Sequence, residues 1–174
     1  MDKFLTEIHS QLGITQVHLK ANRLPLHEQP ALSSLVVADI DFRGRPFVLL
    51  SSTAEAWRPM VAAALSENIY LKPFSGFRSY IDQKGLIEWR LKEGRILEEI
   101  LTHVAIPGFS EHHSGRAIDI YAEGQPVLEE SFEKTPEFQW LTENAARFGF
   151  RLSYPRTNAL GIIYEPWHWF YTGK

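Results

Sequence analysis

Ser110-Glu111-His112-His113-Ser114-Gly115-Arg116-Ala117-Ile118-Asp119 is the stretch around which the rest of the chain is organised. It sets two histidines and an aspartate, all able to bind a metal ion, around a glycine turn. Its last residues open the short apolar run Ala117 to Tyr121, the pattern of a strand. A loop that enters a strand holds its ligands on a rigid element. At this point either His112 or His113 can be paired with Asp119. Near the C-terminus Glu165-Pro166-Trp167-His168 adds another histidine, with a carboxylate three residues before it. Bringing the two segments together would assemble a mononuclear metal site with its own general base. Zinc in hydrolases usually takes three protein ligands of these types and keeps a fourth position for water, whose pKa falls toward about 7. The base must lie within hydrogen-bond reach of that water, and a turn at Pro166 would bring Glu165 there.

Upstream of the motif, Pro107-Gly108 ends a helical stretch over 80–104. Leu86, Trp89, Leu97, Ile100, Leu101 and Val104 form its apolar side, and Gly94 is its weak point. Before it, Tyr70 to Phe74 reads as a strand running into Ser75-Gly76-Phe77-Arg78-Ser79. Arg78 therefore sits at a strand-to-helix junction, where a permanent planar cation can hold a carboxylate or an oxyanion. Ser52 followed by Glu55 has the form of a capping box for a helix over 53–67, with Ala56, Trp57, Met60, Val61, Ala64 and Leu65 on its apolar positions. Leu35 to Val37 and Pro46 to Leu50 predict an antiparallel hairpin around 41–45. Residues 22–30, with two prolines, read as a surface loop, and Phe4, Leu5, Ile8 and Leu12 as a short helix stopped at Gly13.

Downstream, Thr135 is placed to cap a helix over 137–148 that Gly149 terminates. Phe150 to Tyr154 makes a strand ended by Pro155, and Leu160 to Tyr164 and Trp167 to Tyr171 are both strand-like. His9, His18, His27 and His103 have no partner at ligand spacing and read as surface or capping histidines.

The 174 residues, 44% of them hydrophobic, suit one globular domain, and no repeat or linker divides them. With a formal charge of -3 no basic excess points to nucleic acid or an anionic membrane. The absence of cysteine excludes disulfides, thiolate nucleophiles and sulfur-bound zinc, leaving His, Asp and Glu as ligands. No apolar run reaches the roughly 18 residues of a membrane helix. No signal peptide is seen at the N-terminus, so a cytoplasmic protein is the expectation, or a periplasmic or extracellular one if a leader has been trimmed.

Three stretches, in this order, resemble the VanY-type D-alanyl-D-alanine carboxypeptidases of the LAS metallopeptidases. The pattern S-x-H-x-x-G-x-A-x-D is met by Ser110, His112, Gly115, Ala117 and Asp119; E-x-W-H by Glu165, Trp167 and His168; and S-G-[FY]-R-S by Ser75 to Ser79, with Gln83 four residues on. The likeness spans roughly 53–172 and includes 148–155, whereas residues 1–52 carry no motif. The resemblance implies a single compact α+β domain with a central antiparallel sheet and flanking helices. It also implies one zinc ion held by His112, Asp119 and His168, Glu165 as base and later proton donor, and Arg78 at the scissile bond. Gln83, Ser110 and Tyr154 match positions that line the substrate pocket. Relatives often carry a basic residue shortly after the W-H pair, where this chain has Phe170.

The function so implied is that of a monomeric zinc D,D-carboxypeptidase removing the terminal D-alanine from a peptidoglycan stem peptide or precursor. An L,D-carboxypeptidase, a D,D-dipeptidase and an L-alanyl-D-glutamate endopeptidase share the same motifs. A zinc-stabilised module that binds cell-wall peptide without cleaving it is the rival outside enzymes, and Glu165 speaks against it.

Overall fold

The computed structural model describes residues 3–173. Four short strands form the sheet that carries the site: β3 (Lys72–Ser75), β4 (Ala117–Tyr121), β5 (Phe150–Leu152) and β6 (His168–Tyr171). Their order is β3-β4-β6-β5 and every neighbouring pair is antiparallel. A separate hairpin, β1 (Leu35–Ile40) and β2 (Pro46–Leu50), turns at 41–45. There the Asp41 carboxylate accepts from the backbone N–H groups of Arg43 and Arg45 and closes the turn.

Successive side chains of a strand point to opposite faces, and this alternation gives β4 two different environments. Ile118 and Ile120 enter the main core with Trp57 and Met60 of α3 (Ser51–Ser66), Leu141 of α6 (Pro136–Asn144) and Trp169 of β6. Ala117 and Asp119 lie on the other face, yet are as buried as the core residues. A second apolar cluster joins Leu5, Ile8 and Leu12 of α1 (Lys3–Gln11) to Ile87 of α4 (Tyr80–Lys92) and Ile100 of α5 (Leu97–Ile100). The N-terminal helix thus packs against α4, the helix that follows Arg78.

Several boundaries differ from those expected of the sequence. The helix over 80–104 breaks at Gly94, whose φ of +85° lies in the left-handed region, and resumes only as the short α5. The capping box at Ser52 does not form: β2 runs directly into α3, Leu50 is the cap residue, and Ser52 already lies inside the helix. A box forms instead at Ser79, whose hydroxyl accepts from Asp82 N–H while the Asp82 carboxylate accepts from Ser79 N–H. Another, at Thr15 and His18, starts α2 (Gln16–Ala21), a helix the apolar spacing did not announce.

Thr135 caps α6 as expected, but regular helix ends at Asn144 and continues as a 3₁₀ turn to Phe148. Residues 160–164 are not a strand. The Asn158 side chain accepts from Leu160 N–H and donates to the Ile162 carbonyl, so these backbone groups are bonded locally rather than to a sheet.

The hairpin and the motif loop are joined through Gly115, whose carbonyl accepts from Leu50 N–H at 2.9 Å. Gly115 adopts φ +68°, and a Cβ there would approach the Leu50 nitrogen to 2.8 Å, a backbone atom that cannot swing aside. Gly115→Ala is therefore expected to destabilise the protein by well over the roughly 1–2 kcal/mol of a left-handed alanine alone. Gly124→Ala, at φ +78° with nothing within 4 Å of its Cβ, should cost only that conformational part. Urea midpoints of the two variants against the parent protein measure the difference.

Candidate metal centre

Antiparallel pairing puts Asp119 of β4 directly opposite His168 of β6, although 49 positions separate them. His168 Nδ1 lies 3.0 Å from Asp119 Oδ1. The 3₁₀ turn Glu111–Ser114 brings in the third group, with His112 Nε2 3.1 Å from Asp119 Oδ2. One ligand atom from each of His112, Asp119 and His168 fits within 4.8 Å, and all three residues are buried.

The remaining nitrogen of each imidazole is occupied. His112 Nδ1–H donates to the Gly76 carbonyl at 2.7 Å, and His168 Nε2–H donates to Glu111 Oε2 at 2.9 Å. These bonds leave His112 Nε2 and His168 Nδ1 as the ring nitrogens turned toward Asp119, the ones a metal ion would take. Two imidazole nitrogens and a carboxylate with an open side form the donor set of a hydrolytic metal site, and the residues present fit a divalent metal.

His113 is the neighbour that does not join this set. Fully buried, it accepts from Gly108 N–H through Nε2 and donates from Nδ1 to the Arg78 carbonyl at 2.7 Å. Its ring meets Tyr80 edge-on, and burial lowers its pKa to about 3, so it remains a neutral strut beneath Arg78.

The other residues singled out in the sequence surround the centre. The turn at Pro166, closed by His168 N–H donating to the Glu165 carbonyl, leaves Glu165 Oε2 3.9 Å from His168 Nδ1. Burial pushes the Glu165 carboxyl up to about 7; the neighbouring Asp119 adds to this, and His168 and Arg78 oppose it. Arg78 is held by donation to Gln83 Oε1 and Ser75 Oγ, both at 3.0 Å, with its guanidinium 3.9 Å from Asp119. Gln83 in turn donates to the Ala105 carbonyl at 2.7 Å. The Tyr154 ring packs on His168 with centroids 4.9 Å apart, and Ser110 is buried at the start of the 3₁₀ turn. All of these residues line one cleft of about 900 Å³.

The sequence did not reveal Glu111, whose buried carboxylate also accepts from Ser153 Oγ and Arg151. A carboxylate one residue from a ligating histidine was the available signal. Nor did it reveal that Arg43, Arg45 and Val48 of the motif-free N-terminal segment line the cleft. One expectation for the remaining histidines needs correction. His9 is buried and hydrogen-bonded through Nε2 to the Pro107 carbonyl, whereas His27 is only partly buried, against Phe170.

In comparisons with known proteins, residues 47–174 match the VanY family, described as D-alanyl-D-alanine carboxypeptidase. YodJ of Bacillus subtilis (strain 168), a carboxypeptidase by assignment, is 35% identical over 98% of this chain and 64% of its own length. The chain thus spans less than two thirds of that relative. The solved structure of the LdcB LD-carboxypeptidase superposes with a TM-score of 0.74 at 32% identity, over 86% of this chain and 72% of LdcB. That of a vancomycin-resistance D,D-pentapeptidase VanY, in complex with Zn(II), superposes with a TM-score of 0.63 at 28% identity, over 87% and 88%.

The geometry predicts opposite behaviour for the adjacent histidines. His112→Ala, Asp119→Ala and His168→Ala should each abolish stoichiometric retention of a divalent metal after dialysis. His113→Ala should retain it while losing about 1–3 kcal/mol of stability, because Gly108 N–H and the Arg78 carbonyl lose their partner. Metal analysis and urea denaturation read the two effects separately.

A second expectation concerns the metal-free protein. The Glu165 pKa of about 7 lies above its usual 4.5, so the fold bears a cost for ionising it that grows as pH rises through this window and is complete above it. Glu165→Gln should therefore raise stability at pH 8 by about 2–3 kcal/mol and change it little at pH 4, as judged by denaturation in a chelator.

Proposed function

This chain belongs to the VanY family of D-alanyl-D-alanine carboxypeptidases, and from that premise we propose that it is a zinc-dependent D,D-carboxypeptidase. Its substrate in this reading is a peptidoglycan stem peptide or precursor, from which it hydrolyses the terminal D-alanine. The observation that carries the proposal is the convergence of His112, Asp119 and His168 beside a buried, high-pKa Glu165, with Arg78 in the same cleft. When bound, zinc supplies a Lewis acid that polarises the scissile carbonyl and acidifies a water.

The chain's own residues do the rest. Glu165 has a carboxyl poised near neutral pH, which suits a group that first takes a proton and later gives it back. It removes the proton of the attacking water as the water oxygen bonds to the carbonyl carbon, and delivers it to the leaving amine as the C–N bond breaks. Arg78, its guanidinium fixed by Gln83 and Ser75, offers a planar pair of donors to the terminal carboxylate of the peptide or to the developing oxyanion. Because Gln83 is itself tied to the Ala105 carbonyl, Arg78 needs little reordering when substrate arrives. Ser110 and the Tyr154 ring supply cleft wall beside the reacting bond.

A second reading has a specific observation behind it. LdcB, an LD-carboxypeptidase, has a higher TM-score against this chain than the D,D-pentapeptidase does, 0.74 against 0.63. An L,D-carboxypeptidase would use the same metal ligands, base and arginine, and differ in the cleft wall that meets the residue before the scissile bond.

Incubation of the zinc-loaded protein with a pentapeptide ending in D-Ala-D-Ala should release free D-alanine. The corresponding tetrapeptide should be a poorer substrate, and mass spectrometry reads both. Glu165→Ala should retain zinc and lose at least about 10³-fold in kcat, equivalent to roughly 4 kcal/mol of barrier. Full activity in that variant overturns the role of Glu165, and preference for the tetrapeptide overturns the D,D assignment in favour of the L,D one.

A further inference from the structure

We propose that Glu111 is the positioning residue of the metal centre, keeping the His168 ring with its proton on Nε2 and its lone pair on Nδ1 directed at the site, with Ser153 and Arg151 holding Glu111 in turn. The inference rests on reading His112, Asp119 and His168 as metal ligands. Its basis is the position of His168 between two carboxylates, Asp119 3.0 Å from Nδ1 and Glu111 2.9 Å from Nε2. A neutral imidazole has one N–H and can satisfy only one of them. Asp119 also faces His112 and Arg78, so a cation seated there can be shared among several donors. Glu111 lies on the far side of the ring, and the Nε2 proton is what His168 can offer it. Its presence therefore decides which nitrogen remains free for a metal, and a carboxylate acceptor at Nε2 makes Nδ1 a stronger donor.

Glu111 is itself held from behind. Ser153 Oγ donates to Oε2 at 2.5 Å, and Arg151 donates to Oε1 at 3.2 Å. Arg151 stands opposite Phe170 in the β5–β6 pairing, and its guanidinium lies over the Phe170 ring, 5.3 Å from the centroid. Phe170 thereby acquires a use: an aromatic face seats Arg151, whereas a basic side chain at this position would repel it. The chain Phe170–Arg151–Glu111–His168 runs from a half-exposed arginine at the sheet edge to a metal ligand in the interior.

The test is zinc affinity, measured with zinc alone in competition with a chromophoric chelator. Glu111→Ala should weaken binding about 10–100-fold. Glu111→Gln, whose amide oxygen still accepts the Nε2 proton, should recover part of the loss, and Ser153→Ala and Arg151→Met should each give a smaller decrease. Nitrogen-15 spectra of the zinc-loaded protein should show His168 protonated at Nε2 in the parent and in Glu111→Gln. Wild-type zinc affinity in Glu111→Ala overturns the proposal, as does Glu111→Gln binding no better than Glu111→Ala. Should Glu111→Ala fail to fold by circular dichroism, Ser153→Ala and Arg151→Met decide: unchanged zinc affinity in both overturns it. A parent protein that binds no zinc overturns the metal reading itself, and this inference with it.

Discussion

The antiparallel register between β4 and β6 is the constraint on which the rest of the site depends. Side chains directly opposite each other in such a pair lie close together on the same face, so the alignment that faces Ile118 with Trp169 in the core also faces Asp119 with His168 in the cleft. A slip of β6 by one residue against β4 would turn His168 into the core and Trp169 into the cleft, taking one ligand away from Asp119. The apolar packing of Ile118, Ile120 and Trp169 against α3 and α6 therefore sets the metal geometry, because burying those side chains leaves only one register.

The ligand from outside the sheet, His112, needs a different device. It rides on a 3₁₀ turn ended by left-handed Gly115, and that turn is anchored at both ends by backbone hydrogen bonds to neighbouring elements. Gly115 accepts from Leu50 at the end of the hairpin, and the His112 carbonyl accepts from Arg78 N–H. The His112 side chain then donates to Gly76, so the segment 76–78 grips the residue through both its backbone and its ring. Gly76 must be a glycine for this approach, since a Cβ there would lie 2.4 Å from the Val48 carbonyl. The hairpin, for which no motif was found, is in this way part of the scaffold of the site.

The legible and illegible parts of the chain divide along physical lines. The ligand residues, Glu165 and Arg78 stand in patterns with fixed spacing, and β2 and α6 announce themselves by apolar runs and a capping threonine. Illegible features were those decided by contacts between distant segments. Glu111 looked like any loop glutamate until Ser153 and His168, 42 and 57 positions away, were folded against it. Residue type alone does not tell His113 from His112; the motif register selected His112, and the direction of each ring gives the physical reason. Residues 160–164 have strand composition, yet Asn158 draws their backbone into a local turn, a competition that apolar alternation does not register.

Charge balance ties these observations together. Asp119, Glu111 and Glu165 bring three carboxylates into a volume where burial disfavours charge, with Arg78 and the half-exposed Arg151 as the fixed cations. In the metal-free molecule the protons adjust. Burial would lower the His168 pKa, but its hydrogen bonds to Asp119 and Glu111 outweigh burial and raise it to about 10. Glu165, lacking a comparable partner, is instead pushed toward its neutral form. The imidazolium proton of His168 on the Asp119 side thus occupies the place and charge that a metal ion would take, so proton and metal compete for one position. A dication held there by His112, Asp119 and His168 would supply more positive charge than that proton and would favour ionised Glu165. The same burial that makes three acidic groups costly in the empty fold is then what makes a divalent ion the favourable way to satisfy them.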